Sequence, residues 1–104
     1  MTAHDATQNV RIVLAARPRG EPIAADFRVE HAPLPVPGEG QVLLRNRYLS
    51  LDPYMRGRMN AGRSYAKPVE IGEVMDGGTV SEVIDSRHPD LQAGDLVLAH
   101  GGWQ

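Results

Sequence analysis

Short runs of apolar and polar residues follow one another along the chain, and proline or glycine bounds nearly every run. Val10-Arg11-Ile12-Val13-Leu14 is apolar and β-branched, and predicts a strand over 10–16 that Pro18, Gly20 and Pro22 bring to an end. Phe27-Arg28-Val29-Glu30 alternates apolar with charged, the period of a half-buried second strand. The stretch from Pro33 to Gly40 holds three prolines and two glycines, which excludes helix and central strand there. Gln41 to Ser50 is the longest strand candidate. The character then changes at Leu51-Asp52-Pro53-Tyr54-Met55-Arg56-Gly57. Here Asp52 is expected to cap a short helical turn with its side chain, Pro53 to take the first helical position, and Gly57 to leave through the left-handed region.

The second half returns to extended patterns. Val69 to Val74, Thr79 to Ile84 and Leu96 to Ala99 are predicted strands, with a turn at Ala93-Gly94-Asp95. Gly77-Gly78 within extended chain predicts a bulge or a close approach by another group. Asn60 to Lys67 reads as a loop. Met1 to Asn9, polar and aperiodic, is expected to be a disordered leader, leaving 10–104 as one domain. Short strands, proline-rich links and one or two helical turns predict a mainly β, partly open barrel.

Composition narrows the function classes. At 104 residues, 41% hydrophobic and 23% charged, the chain suits a single globular domain. No apolar run is long enough to cross a membrane as a helix, residues 1–10 lack the order of a secretory signal, and a cytoplasmic address is the expectation. With no cysteine there is neither a disulfide frame nor a thiolate metal site. The net charge of −2 is unevenly spread: 41–68 carries six cations against Asp52, a balance of +5, so the remainder carries −7. Such a zone can draw in an anionic ligand or can simply be a solvated face.

Candidate chemistry is sparse. Gly38-Glu39-Gly40 follows prolines and opens no helix, so there is no dinucleotide fingerprint, and no Walker loop or nucleophile elbow occurs. His4, His31, His88 and His100 are scattered without metal-ligand spacing, and no metal site is expected. Glu70 and Glu73, on an extended segment, would point to opposite faces and form no acid/base pair. What remains is Tyr48 with Asp52, Pro53, Tyr54 and Met55 at a strand-to-helix junction. A tyrosine there can donate to a carbonyl and lay a flat face against a ring, or it can be an ordinary packing residue.

The run Tyr48-Leu49-Ser50-Leu51-Asp52-Pro53-Tyr54-Met55-Arg56-Gly57-Arg58-Met59 resembles the signature of the zinc-free medium-chain dehydrogenase/reductase family. That group includes prostaglandin reductases, leukotriene hydroxydehydrogenases, alkenal double-bond reductases and curcumin-type reductases. Ile71 to Val80, Ser86 to Asp90, Gly94 to Val97 and Gly102 to Gln104 match in the same order. The resemblance spans 10–104 and implies a GroES-like N-terminal domain, with a Rossmann domain for NADPH farther along a longer chain. It implies reduction of the C=C bond of α,β-unsaturated ketones and aldehydes by hydride transfer, in a complete enzyme that can be a homodimer. The 104 residues alone would be inactive.

Carried over residue by residue, the resemblance makes Tyr54, Met55 and Tyr48 substrate-binding, with Pro53 and Tyr54 also against the cofactor. No certain catalytic residue falls in these 104 residues. Zinc-dependent relatives have a cysteine where Leu49 falls and a histidine near Gly78, so the resemblance implies no zinc. Plant double-bond reductases carry a second pocket tyrosine where Gly78 aligns, which leaves the substrate open. Met75 is expected in the core, Trp103 at a boundary with the downstream half, and Tyr65 on the loop as a residue that could cover substrate. Two other classes compete: a chaperonin-cap type assembly module without chemistry, and a nucleic-acid-binding barrel using the +5 zone. Aromatic content of 5% counts against base stacking in the latter, and no nucleic-acid partner is expected.

Overall fold

The computed structural model describes residues 8–62 and 67–104, in two antiparallel sheets. β1 (Gln8–Leu14) pairs with β2 (Phe27–Pro33), in register from Gln8↔Pro33 to Leu14↔Phe27. β3 (Val42–Leu49), β4 (Thr79–Ser86) and β5 (Leu96–Ala99) form the second sheet in that order. α1 (Tyr54–Arg58) is the only α-helix among the described residues, and a 3-10 turn at Ala24–Asp26 precedes β2. The sheets do not close on each other, so the fold is the mainly β, partly open barrel that the pattern predicts.

Burial follows the period-2 rule most clearly on β4. Thr79, Ser81 and Val83 are buried, while Val80 and Glu82 between them are partly exposed. The apolar core gathers Leu14, Met59, Val69 and Met75, with Phe27 and Trp103 packed against it. Met75 is therefore the core residue expected. Trp103 is not simply a boundary residue: its ring stacks on Phe27 at 5.6 Å between centroids, inside this domain.

Two further segments dock on the inner half of β1. Leu14 N–H donates to the Glu73 carbonyl (3.0 Å), Met75 N–H to Ile12 (3.0 Å) and Ile12 N–H to Trp103 (2.7 Å). Trp103 N–H in turn donates to Met75 at 2.9 Å. These bonds join the sheets, and they require Gly102: its φ is +74°, and a Cβ there would stand 2.7 Å from the Met75 carbonyl oxygen.

Several sequence expectations change. β1 starts at Gln8, so Gln8 and Asn9 are strand rather than leader; residues 1–7 and Tyr65 lie outside the described residues. Val69 to Val74 is not a strand and makes only an isolated bridge, Val74 to Val13. The reason is a turn: Gly72 takes φ +90°, and the Glu73 carboxylate accepts the Glu70 N–H at 2.9 Å. The bond runs from the Glu70 backbone to the Glu73 carboxylate, while the Glu70 carboxylate turns to Arg17 at 3.4 Å.

Gly102→Ala should cost about 2 kcal/mol or more, read as a lower urea midpoint, because a left-handed backbone and a blocked approach both oppose the methyl. A second expectation concerns acid stability. The Arg28 guanidinium first, and Arg11 second, hold the Glu30 carboxyl below the usual carboxylate range. A lowered native pKa contributes stability at neutral pH that is lost as pH falls through the lowered value. Urea midpoints of Glu30→Gln should therefore decline less between neutral and acid pH than those of the parent chain.

Candidate functional site

The candidate wall lies where β3 runs into α1. The β3–β4 register passes from Asn46↔Ser81 to Tyr48↔Val80, which leaves Arg47 as the extra residue of a bulge. Beyond it the chain becomes exposed: Tyr48 is 73% exposed, Leu49 37% and Leu51 71%. Exposed large apolar groups in succession are unusual for a solvated strand end and mark a surface built to meet something.

α1 begins at Tyr54, which is half-buried, directly after Pro53 at φ −57° and ψ −31°. The proline ring presets a helical backbone, but Pro53 stands at the N-cap and Tyr54 takes the first helical position expected for it. The cap differs from expectation. The Asp52 carboxylate accepts the Ser50 hydroxyl at 2.8 Å, and the helix start makes no side-chain capping bond. It is the Asp52 carbonyl that accepts Met55 N–H (3.1 Å). Gly57 lies inside the helix, with no left-handed exit.

Met55, placed at the pocket by resemblance, is only 4% exposed and packs inward. Its sulfur accepts the Asp52 N–H at 3.5 Å, and its Cε would stand 3.2 Å from a Cβ at residue 77. It supports the wall from behind. The tight glycine is accordingly Gly77, where a Cβ would come within 2.7 Å of Leu49 Cδ1; Gly78 faces open space. Close approach is thus confirmed for one member of the glycine pair, and the other could carry a side chain.

A five-residue helix cannot hold itself in water. Three guanidinium groups hold this one. Arg56 donates to the carbonyls of Gly20 (3.0 Å) and Pro18 (3.1 Å) and to Asn60 Oδ1 (2.7 Å). Arg17 donates to the carbonyls of Met59 and Val69, both at 2.9 Å. Arg58 bonds the Lys67 carbonyl at 2.8 Å and pairs with Asp76. Arg47 is paired with Glu82. Much of the basic zone is thus committed to internal bonds, a role composition could not separate from anion binding.

Beside the wall, a shallow cavity of about 290 Å³ opens between β1 and β3, lined by Val10, Ile12, Tyr48, Leu49, Trp103 and Gln104 among others. Tyr48 and Tyr54 therefore belong to one strand-to-helix passage, but the structure places only Tyr48 on this cavity. Trp103 and Gln104 were not foreseen as lining residues; their neighbour Gly102, next to a lone tryptophan, was the available signal. Among the described residues no group of three or more His, Asp or Glu could hold a metal, and no helix is long and apolar enough to span a membrane.

A family described as the N-terminal domain of oxidoreductase matches residues 10–104. The chain belongs to this family. It is 61% identical over 97 residues to an NADPH-dependent curcumin reductase of Escherichia coli, covering 93% of the chain and 28% of that relative. It is 36% identical over 100 residues to an NADP-dependent 2-alkenal reductase of Nicotiana tabacum, covering 92% and 29%. The crystal structure of CurA from Vibrio vulnificus in complex with NADPH superposes with a TM-score of 0.89 at 53% identity, covering 92% of this chain and 28% of that one. The domain thus has the GroES-like fold implied by its motif, and it spans under a third of the length of these relatives.

Met55→Ala should lower stability by about 2–5 kcal/mol, since it opens a cavity between α1 and the glycine pair. Urea unfolding measures this, and a loss under 1 kcal/mol would show that the wall does not lean on Met55.

Proposed function

We propose that this domain forms the substrate-side wall of an NADPH-dependent reductase that saturates the C=C bond of α,β-unsaturated ketones and aldehydes. The observation that carries the reading is the exposed apolar passage Tyr48 to Tyr54, built on a strand end and a clamped helix, in a domain whose relatives include curcumin and alkenal reductases. NADPH, held by the rest of the complete protein, supplies the hydride. Pro53 and Tyr54 are the residues of this chain that would meet the nicotinamide. Tyr54 and Tyr48 would contact the substrate, offering a phenol donor to its carbonyl oxygen and flat apolar faces to its conjugated system. Hydrogen bonding to the oxygen on which negative charge develops is the contribution such a donor makes to catalysis.

The donor set fits this role and not zinc chemistry: Leu49 and Gly78 offer no metal ligand, and the chain has no cysteine. The same reading makes the complete protein a cytoplasmic enzyme, able to form a homodimer, that takes small molecules and neither nucleic acid nor membrane. An assembly module of chaperonin-cap type has no use for a tyrosine-bearing turn supported by three arginines, and the family relationship favours the reductase.

Tyr54→Phe in the complete protein should lower kcat/KM for enones by about 10–100-fold and leave the KM for NADPH within about twofold. Steady-state NADPH oxidation at 340 nm reads both constants. An unchanged rate on several enones would remove Tyr54 from the wall. The 104 residues alone should oxidise no NADPH with any enone.

A further inference from the structure

Asn46 stands opposite Ser81 in the β3–β4 ladder, one residue before the bulge, and its amide is the hub of a polar chain. Nδ2 donates to the carbonyls of Gly102 (3.3 Å) and Gln104 (2.9 Å). Oδ1 accepts the Ser81 hydroxyl at 2.7 Å. Ser81 and Thr79 share a hydrogen bond of 2.9 Å, and Gly101 N–H donates to Thr79 Oγ1 at 3.2 Å. Ser81 is fully buried and Thr79 is 4% exposed. The amide also lies close against Gly101, where a Cβ would stand 2.5 Å from Oδ1. Each end of the amide faces partners of the opposite kind, so its orientation is determined by the network.

A buried polar chain is costly unless complete, and apolar residues at these inward positions would hold the sheet as well. What the network adds is a directional grip on residues 101–104. Trp103 and Gln104 line the cavity of about 290 Å³ from one side, Tyr48 and Leu49 line it from the other, and Asn46 lines it where the two meet. Asn46 touches the first pair's segment with its amide and sits at the start of the bulge that presents the second pair.

We propose that Asn46 is a positioning residue for substrate binding, setting the 101–104 segment against the Tyr48–Leu49 strand end. This rests on the reading of the Tyr48–Tyr54 passage as the substrate-side wall. Asn46→Asp in the complete protein keeps size and shape but turns a negative oxygen toward two carbonyls. At about pH 8, the KM for a probe enone (4-phenyl-3-buten-2-one) should rise about tenfold, while the KM for NADPH stays within about twofold. Toward about pH 5 the introduced carboxyl takes up a proton, its O–H can donate to the Gln104 carbonyl, and the defect relative to the parent should shrink. Amide hydrogen exchange at 101–104 should quicken about tenfold at the higher pH, with the β2 amides unchanged. Faster exchange with both KM values at the parental level would overturn the proposal by leaving Asn46 a purely structural role. Unchanged exchange at 101–104 would overturn it whatever the kinetics. Failure of the parent protein to reduce any enone would instead sink the wall reading, and the exchange data would still decide whether Asn46 grips the segment.

Discussion

The backbone hydrogen bonds that dock residues 73–75 and 102–103 onto β1 are the constraint on which this domain depends. A two-stranded ribbon and a three-stranded sheet of these sizes are weak alone, and no ladder runs directly between them. Four short bonds, alternating between Ile12, Leu14, Met75 and Trp103, make one body of two sheets. They bring Leu14, Met75 and Trp103 together, so core packing follows from the docking. Only a glycine at residue 102 admits the approach, and only a glycine at residue 77 leaves room for Leu49 and Met55 beneath the wall.

The wall itself is held by a different device. Irregular chain leaves carbonyl groups without ladder partners, and arginine can satisfy two or more of them with one planar fork. Arg17 and Arg56 work reciprocally: Arg17 leaves the first loop to bond carbonyls at Met59 and Val69, and Arg56 leaves α1 to bond carbonyls at Pro18 and Gly20. The first loop and α1 are thereby tied to each other, and the five-residue helix that carries Tyr54 is held in place. The candidate wall sits on the least regular part of the chain, made firm by side chains rather than by secondary structure.

That division also explains how an oxidoreductase domain can carry so few catalytic candidates. In the proposed reading its contribution is shape: exposed aromatic and apolar groups on a supported edge, beside Gly78. Gly78 faces nothing within 4 Å, so a side chain could stand there without displacing a neighbour.

Local chemistry was enough to read β1 to β5 and a helical turn directly after Pro53, because alternation, proline and glycine act over a few residues. The motif around Asp52 to Met55 was enough to place the family. Residue fates that hang on distant neighbours were decided by tertiary structure alone. Val69 to Val74 has a strand's composition, yet its donors go to Arg58, Leu14 and a local turn, so no ladder forms. Asp52 has a cap's identity, yet Ser50 takes its carboxylate; Met55 has a pocket's address, yet Gly77 draws it inward. Arg56 and Arg58, which composition left between ligand binding and a solvated face, became clamps, because the free carbonyls they satisfy come from segments up to thirty-eight positions away. Such pairings arise only once the chain has closed on itself, where an unmet buried carbonyl costs more than an arginine loses in freedom.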